Sequence, residues 1–172
     1  MASLLENLVE VLDRENAEYE KLVLLAERKT PTIVKGDLED LSQITEDEQE
    51  IVGRLQTMEK QRAKALADIA NVVNRDVENM KLKDLIQMLD KMPKQQEQLR
   101  DIHERLKVTI DRLKTANSKN QLLLSDKLEM VEFDLNMIKA LKSAPQTANY
   151  SKDANTNGQV LGIFHGGFDA KQ

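Results

Sequence analysis

The sequence predicts an all-α protein. The expected architecture is an elongated antiparallel helical hairpin or coiled-coil bundle, with one short and three longer helical segments and a disordered C-terminal tail. Three observations carry this. Only three Pro and six Gly occur in 172 residues, too few for the tight turns of an all-β chain. Charged residues make up 32% of a chain rich in Leu, Lys, Glu, Gln and Ala, the composition of long solvated helices. Apolar residues recur at alternating steps of three and four over several long stretches, which places them on one stripe of a helix.

The composition divides the chain in two. Residues 1–143 hold 23 basic and 28 acidic residues, whereas 144–172 hold two of each. Four of the six Gly and three of the five aromatics also fall in the last stretch. The chain therefore reads as a helical domain over 1–143 and a flexible tail over 144–172.

The first helix is expected from about Ser3 to Arg28, on the stripe Leu5, Leu8, Leu12, Glu15, Tyr19, Leu22 and Ala26. Ser3 and Glu6 have the spacing of a capping box. Thr30–Pro31 reads as a cap and first position that restart a short helical turn. Gly36 then breaks the pattern and Asp37 can cap the next helix. That second helix, Asp37 to Val73, carries the stripe Leu41, Ile44, Glu48, Ile51, Leu55, Met58, Arg62, Ala65, Ile69 and Val72. In a hairpin folded near Gly36, Glu15 comes close to Arg62 and closer to Lys60. Pairing across the seam and snorkelling to water are both open to these side chains. A short helix follows over Leu82–Leu89, with Asn79 expected as its cap.

Pro93 suits the entry to the last and longest helix, Lys94 to Lys142. Its stripe reads Leu99, Ile102, Leu106, Thr109, Leu113, Ala116 and Asn120. It then slips by one residue to Leu124, Leu128, Val131, Leu135, Ile138 and Leu141. Such a slip means that the packing partner changes there or that the coil locally unwinds. Leu122, Met130, Phe133 and Met137 widen the apolar face beyond a two-in-seven seam. Either the short helix or the tail covers the surplus, or it meets another helix. Pro145 ends the helix.

Many chemistries are disfavoured. The net charge of -5 argues against duplex binding, and no aromatics flank the basic residues to stack bases. Zero Cys removes disulfides, thiolate metal sites and thiol nucleophiles. No phosphate loop, G-x-S-x-G, H-E-x-x-H or Cys/His metal spacing occurs, so no enzyme activity, metal or cofactor is expected. No apolar run approaches the roughly 20 residues of a membrane span. The N-terminus lacks the pattern of a signal peptide, which points to the cytoplasm.

At this point the pattern resembles the FlgN-type flagellar export chaperones. The resemblance runs over about residues 1–150. It rests on Leu4-Leu5-Glu6-Asn7-Leu8, Glu18-Tyr19-Glu20-Lys21-Leu22, the break Val34-Lys35-Gly36-Asp37-Leu38-Glu39-Asp40-Leu41, Leu55 to Arg62, Asn117 to Leu124, and Tyr150. Order and spacing carry it rather than any one motif. It implies a cytoplasmic, helical chaperone without ATPase activity. Such a protein binds the C-terminal helical region of hook–filament junction proteins, prevents their premature association and delivers them to the flagellar export apparatus. The resemblance implies a client site on Leu124, Leu128, Val131, Leu135 and Ile138, and a contact with the export apparatus at Tyr150. It assigns no role to Gly158–Asp169.

Two other readings compete. The same apolar face suits a structural or adaptor coiled coil that homodimerises when free. His103, on the long helix in Asp101-Ile102-His103-Glu104, also has the setting of a histidine-phosphotransfer residue. Against that, Lys107 lies four positions on and no small residue follows the His. A flank position beside the Ile102 seam explains it more simply.

Overall fold

A computed structural model of the chain describes residues 2–74 and 80–143. Among them are four helices and no strand: α1 (Ala2–Lys35), α2 (Leu38–Val72), α3 (Leu82–Met88) and α4 (Pro93–Ser143). At 1.5 Å per residue α1 and α2 are each about 50 Å long and α4 about 75 Å. The all-α hairpin architecture read from the sequence is the one observed.

The connection from α1 to α2 is two residues long because glycine sits where the chain must reverse. Gly36 has φ +74°, a left-handed conformation that costs only glycine little. Its N–H donates to the Ile33 carbonyl at 3.1 Å, and the Asp37 N–H donates to the Thr32 carbonyl at 3.2 Å. These two bonds are the Schellman pair that satisfies the end of a helix. Asp37 then starts α2, its carboxylate accepting from the Asp40 N–H at 3.0 Å. Asp40 in turn ties back to α1 through Arg28 and through the Thr32 hydroxyl, 2.7 Å away. The Asp40 carboxyl is held below its ordinary range by the Thr32 hydrogen bond first, against some desolvation, and then by Arg28.

α1 is the spine. α2 returns antiparallel along one side and α4 runs parallel to it along another. This is why α1 buries more than the single stripe its periodicity suggested: Val11, Asn16, Glu18, Val23, Thr32 and Ile33 are buried in addition to Leu5, Leu8, Leu12, Glu15, Leu22 and Ala26. The main core lies at the end where α1 begins. Leu5, Leu8 and Leu12 meet Ala65 and Ile69 of α2, Leu85, Ile86 and Leu89 at α3, and Leu99, Ile102 and Leu106 of α4. A smaller cluster of Leu22, Ile51 and Leu55 sits further along, with Tyr19, Leu25 and Leu113 against it.

Several boundaries differ from the sequence reading. α1 starts at Ala2, so Ser3 lies inside the first turn rather than capping it. α1 also passes through Thr30–Pro31 without a break. Pro31 removes one helical N–H, which should weaken the turn. Packing outweighs that loss: Thr32 and Ile33 beyond it are buried, and Thr30 and Ala26 before it are bonded to α4. In α2 the stripe shifts at its end, where Ala70 is buried and Val72 is exposed. α3 begins from Lys81, whose N–H donates to the Asp84 carboxylate at 3.2 Å. The expected cap, Asn79, lies outside the described residues, as does the whole of 144–172. Pro93 is the first residue of α4, as expected. Gln96, one turn on, donates to the Ile86 carbonyl at 2.9 Å and holds α3 against the new helix.

Candidate functional site

The two halves of α4 live in different surroundings. From Leu99 to Asn120 its seam residues face α1: Leu99, Ile102, Leu106, Thr109 and Asn120 are buried. Arg105 reaches Asp13 at 2.8 Å and Arg112 reaches Glu27 at 3.2 Å along the rim. Both pairs are exposed and contribute little beyond register.

Asn120 is the last buried residue of α4. Its Nδ2 donates to the Ala26 carbonyl at 2.7 Å, and its Oδ1 accepts from the Thr30 hydroxyl at 2.6 Å. Both ends of the amide are therefore satisfied, as burial requires. The one-residue slip in the stripe falls at this residue. α1 has only some ten residues left beyond Ala26, and the seam that α4 carries outlasts its partner.

Beyond Asn120 α4 projects with its apolar side chains in solvent. Leu128 is 69% exposed, Val131 52%, Leu135 50% and Ile138 48%; Leu122, Met130, Phe133, Met137 and Leu141 are similarly open. Leu124, at 36%, is the most covered of them. A run of this length is larger than the scattered apolar residues that any surface carries. Among the described residues nothing lies over it. α3, one of the two elements that could have covered the surplus, packs at the opposite end of the molecule.

Where the projecting half begins, it passes the tip of the α1–α2 hairpin. Thr32, Ile33, Gly36, Leu38 and Leu41 face Leu124, Lys127, Leu128 and Val131 across a recess of about 330 Å³. Its lining is almost wholly apolar. Leu38, 78% exposed, stands at its mouth. The sequence reading placed the entire apolar surface on the last helix and missed this second wall. The signal was present: Leu38 follows the Gly36–Asp37 break and lies off the Leu41–Ile44 stripe, so no bundle position accounts for it.

The charged residues that interrupt the α1 and α2 stripes form structural pairs. Arg62 Nη1 donates to Glu15 Oε2 at 2.9 Å, and the Glu15 residue is only 2% exposed. Of the two possibilities left open by the sequence, pairing is the one found. Burial pushes the Glu15 carboxyl above its ordinary value; the Arg62 charge and hydrogen bond oppose that without cancelling it. Glu18 is the counter-case. Burial would raise it, but hydrogen bonds from Lys21 at 2.7 Å and Arg54 at 3.0 Å hold it below the usual carboxylate range. Glu48, the one acid in the α2 stripe, pairs with Lys29.

None of these groups assembles into a reactive constellation. Among the described residues no three His, Asp or Glu side chains cluster as metal ligands would, and no helix is long and apolar enough to cross a membrane. His103 lies on the flank of α4, partly exposed, with Nδ1 3.6 Å from a carboxylate oxygen of its neighbour Glu104. Tyr150 lies outside the described residues.

A family described as FlgN protein fits residues 1–158. No curated protein and no solved structure matches the chain.

Proposed function

The chain belongs to the FlgN family of flagellar export chaperones, and from that premise we propose that it binds the C-terminal helical region of hook–filament junction proteins along the projecting half of α4. The client lies on Leu124, Leu128, Val131, Leu135 and Ile138. The chaperone prevents its premature association in the cytoplasm and delivers it to the export apparatus, with Tyr150 as the contact there.

One observation supports this reading above the rest: the α4 seam continues past Asn120 with no partner among the described residues. A client segment that forms coiled coils only in the assembled filament carries an apolar stripe of its own. Laying that stripe on α4 buries both at once. The Met residues on this face add adaptability, since an unbranched thioether repacks against differing side chains. The groove is shallow and one-sided, so the client can be stripped off by the export machinery without nucleotide hydrolysis on the chaperone. A Kd near ~1 μM, corresponding to about -8 kcal/mol, would suit such a hand-over.

Co-purification with a junction subunit tests the proposal. The expected product is a soluble complex of one chaperone with one subunit. Leu128→Asp and Leu135→Asp should each weaken it by roughly 30-fold or more, the loss of a central anchor worth about 2 kcal/mol. Circular dichroism should stay unchanged. Loss of helicity together with binding would make these residues core rather than contact. Sedimentation of the free chain distinguishes the homodimer reading, since a dimer sealed through this face would grow with concentration.

A further inference from the structure

We infer that the apolar segment Val160–Phe164 of this chain's own C-terminal portion docks against Leu124, Leu128 and Val131 in the recess at the α1–α2 tip. The docking rests on that face and on the sequence of the tail, independently of the client reading above.

Three observations converge. The first is the recess, whose almost wholly apolar walls come from the hairpin tip and from α4 and which has room for apolar side chains from a short segment. The second is the tail sequence. Val160, Leu161, Ile163 and Phe164 form the one dense apolar cluster after residue 143, set among polar residues and glycines. The family match stops at residue 158, just before this cluster, so the shared family features do not account for it.

The third observation is reach. α4 ends at Ser143. Measured back along the helix axis, Val131 lies about 18 Å and Leu124 about 28 Å from that end at 1.5 Å per residue. Seventeen residue steps separate Ser143 from Val160, and at no more than about 3.5 Å per residue that length of chain can span either distance. The cluster is thus within reach of the stretch of α4 that lines the recess. Because the segment belongs to the same chain, its docking is an intramolecular event. A second copy of the chain at micromolar concentration competes poorly with a tethered segment.

The chain contains no Trp, so Phe164→Trp in the full-length protein gives a single reporter. The expected result is a blue-shifted emission protected from acrylamide, independent of protein concentration. Leu128→Asp or Leu38→Asp added to that variant should return the emission to that of Trp in water. Both residues are exposed, so neither change disturbs the core. Water-like emission in the parent variant overturns the proposal. So does protection that survives both Asp substitutions, which would place the segment elsewhere. Protection that rises with concentration, alongside a sedimenting dimer, makes a second copy the occupant and likewise overturns it. No client enters this experiment. Its failure leaves the chaperone reading intact, and failure of client binding leaves the docking intact.

Discussion

Asn120 donates to the Ala26 carbonyl at 2.7 Å, and this bond marks where α4 stops being part of the bundle. The residue before it on the seam, Ala116, is half-buried against α1, and Leu124 after it begins the open face. A polar residue in an apolar seam fixes register, because sliding α4 by one position would leave its amide buried and unpartnered.

Asn120→Ala should therefore destabilise the fold by about 2 kcal/mol, the cost of leaving the Ala26 carbonyl and the Thr30 hydroxyl without their partner. For a domain of this size that is a Tm lower by roughly 4–8 °C. Calorimetry measures it. A Tm within 1 °C of the parent, on the order of the smallest resolvable change, would show that water replaces the amide without cost.

The Glu15–Arg62 pair should be sensitive to the loss of one partner and tolerant of the loss of both. Arg62→Met leaves a buried carboxylate without its cation and should cost about 3–5 kcal/mol. Glu15→Leu combined with Arg62→Leu should recover most of it. Urea titrations of Glu15→Leu, Arg62→Leu and the double variant form the cycle; additive losses would mean that the two groups act independently.

The pH dependence of Glu15 has a definite sign. Its folded carboxyl titrates above the ordinary value of 4.5, so the native state holds the proton more tightly than the unfolded chain. Its contribution to stability is therefore greatest below pH 4.5 and declines as pH rises through the raised native value. Glu18 runs the other way. Its carboxyl titrates below 4.5 in the native state, so its contribution is present above pH 4.5 and is lost as pH falls through the lowered native value. Glu18→Gln should lower stability at neutral pH and have little effect once Glu18 is protonated in both states. Glu15→Gln should remove the opposite slope. Urea midpoints across the acid range read both.

The two glycines of the helical body should respond in opposite directions. Added Cβ atoms at Gly36 and Gly53 meet nothing within 4 Å, so packing does not decide either case. At Gly36 the left-handed backbone makes Ala unfavourable by about 1–2 kcal/mol. At Gly53, inside α2, Ala should stabilise by about 1 kcal/mol. Thermal melts of the two variants, moving apart from the parent, check the assignment.

Much of this was legible in the sequence, for identifiable reasons. The stripe on each long segment located all three long helices, and Gly36–Asp37 located the reversal because few residues other than glycine fit there. The slip at Asn120 left open a change of partner or a local unwinding; α4 runs through it as one helix, and among the described residues its seam passes out into solvent. Pro31 misled because its local preference is real, yet helix-on-helix contact at Thr32 and Ile33 outweighs it. The second buried face of α1 was hidden because Asn16, Glu18 and Thr32 are polar and periodicity counts only apolar residues. The Leu38 wall of the recess escaped because it adjoins α4 only after the chain has folded, and no local pattern encodes that proximity.

The division of α4 at Asn120 also bears on how such a sequence can vary over time. Residues before that point sit in the bundle's interior, where nearly every replacement alters foldedness. Those after it lie in solvent among the described residues, so on the proposed reading drift in Leu128 or Leu135 would change which cargo is favoured while leaving the scaffold intact. A molecule built this way can follow a changing cargo by altering one exposed helical arm, without passing through unfolded ancestors.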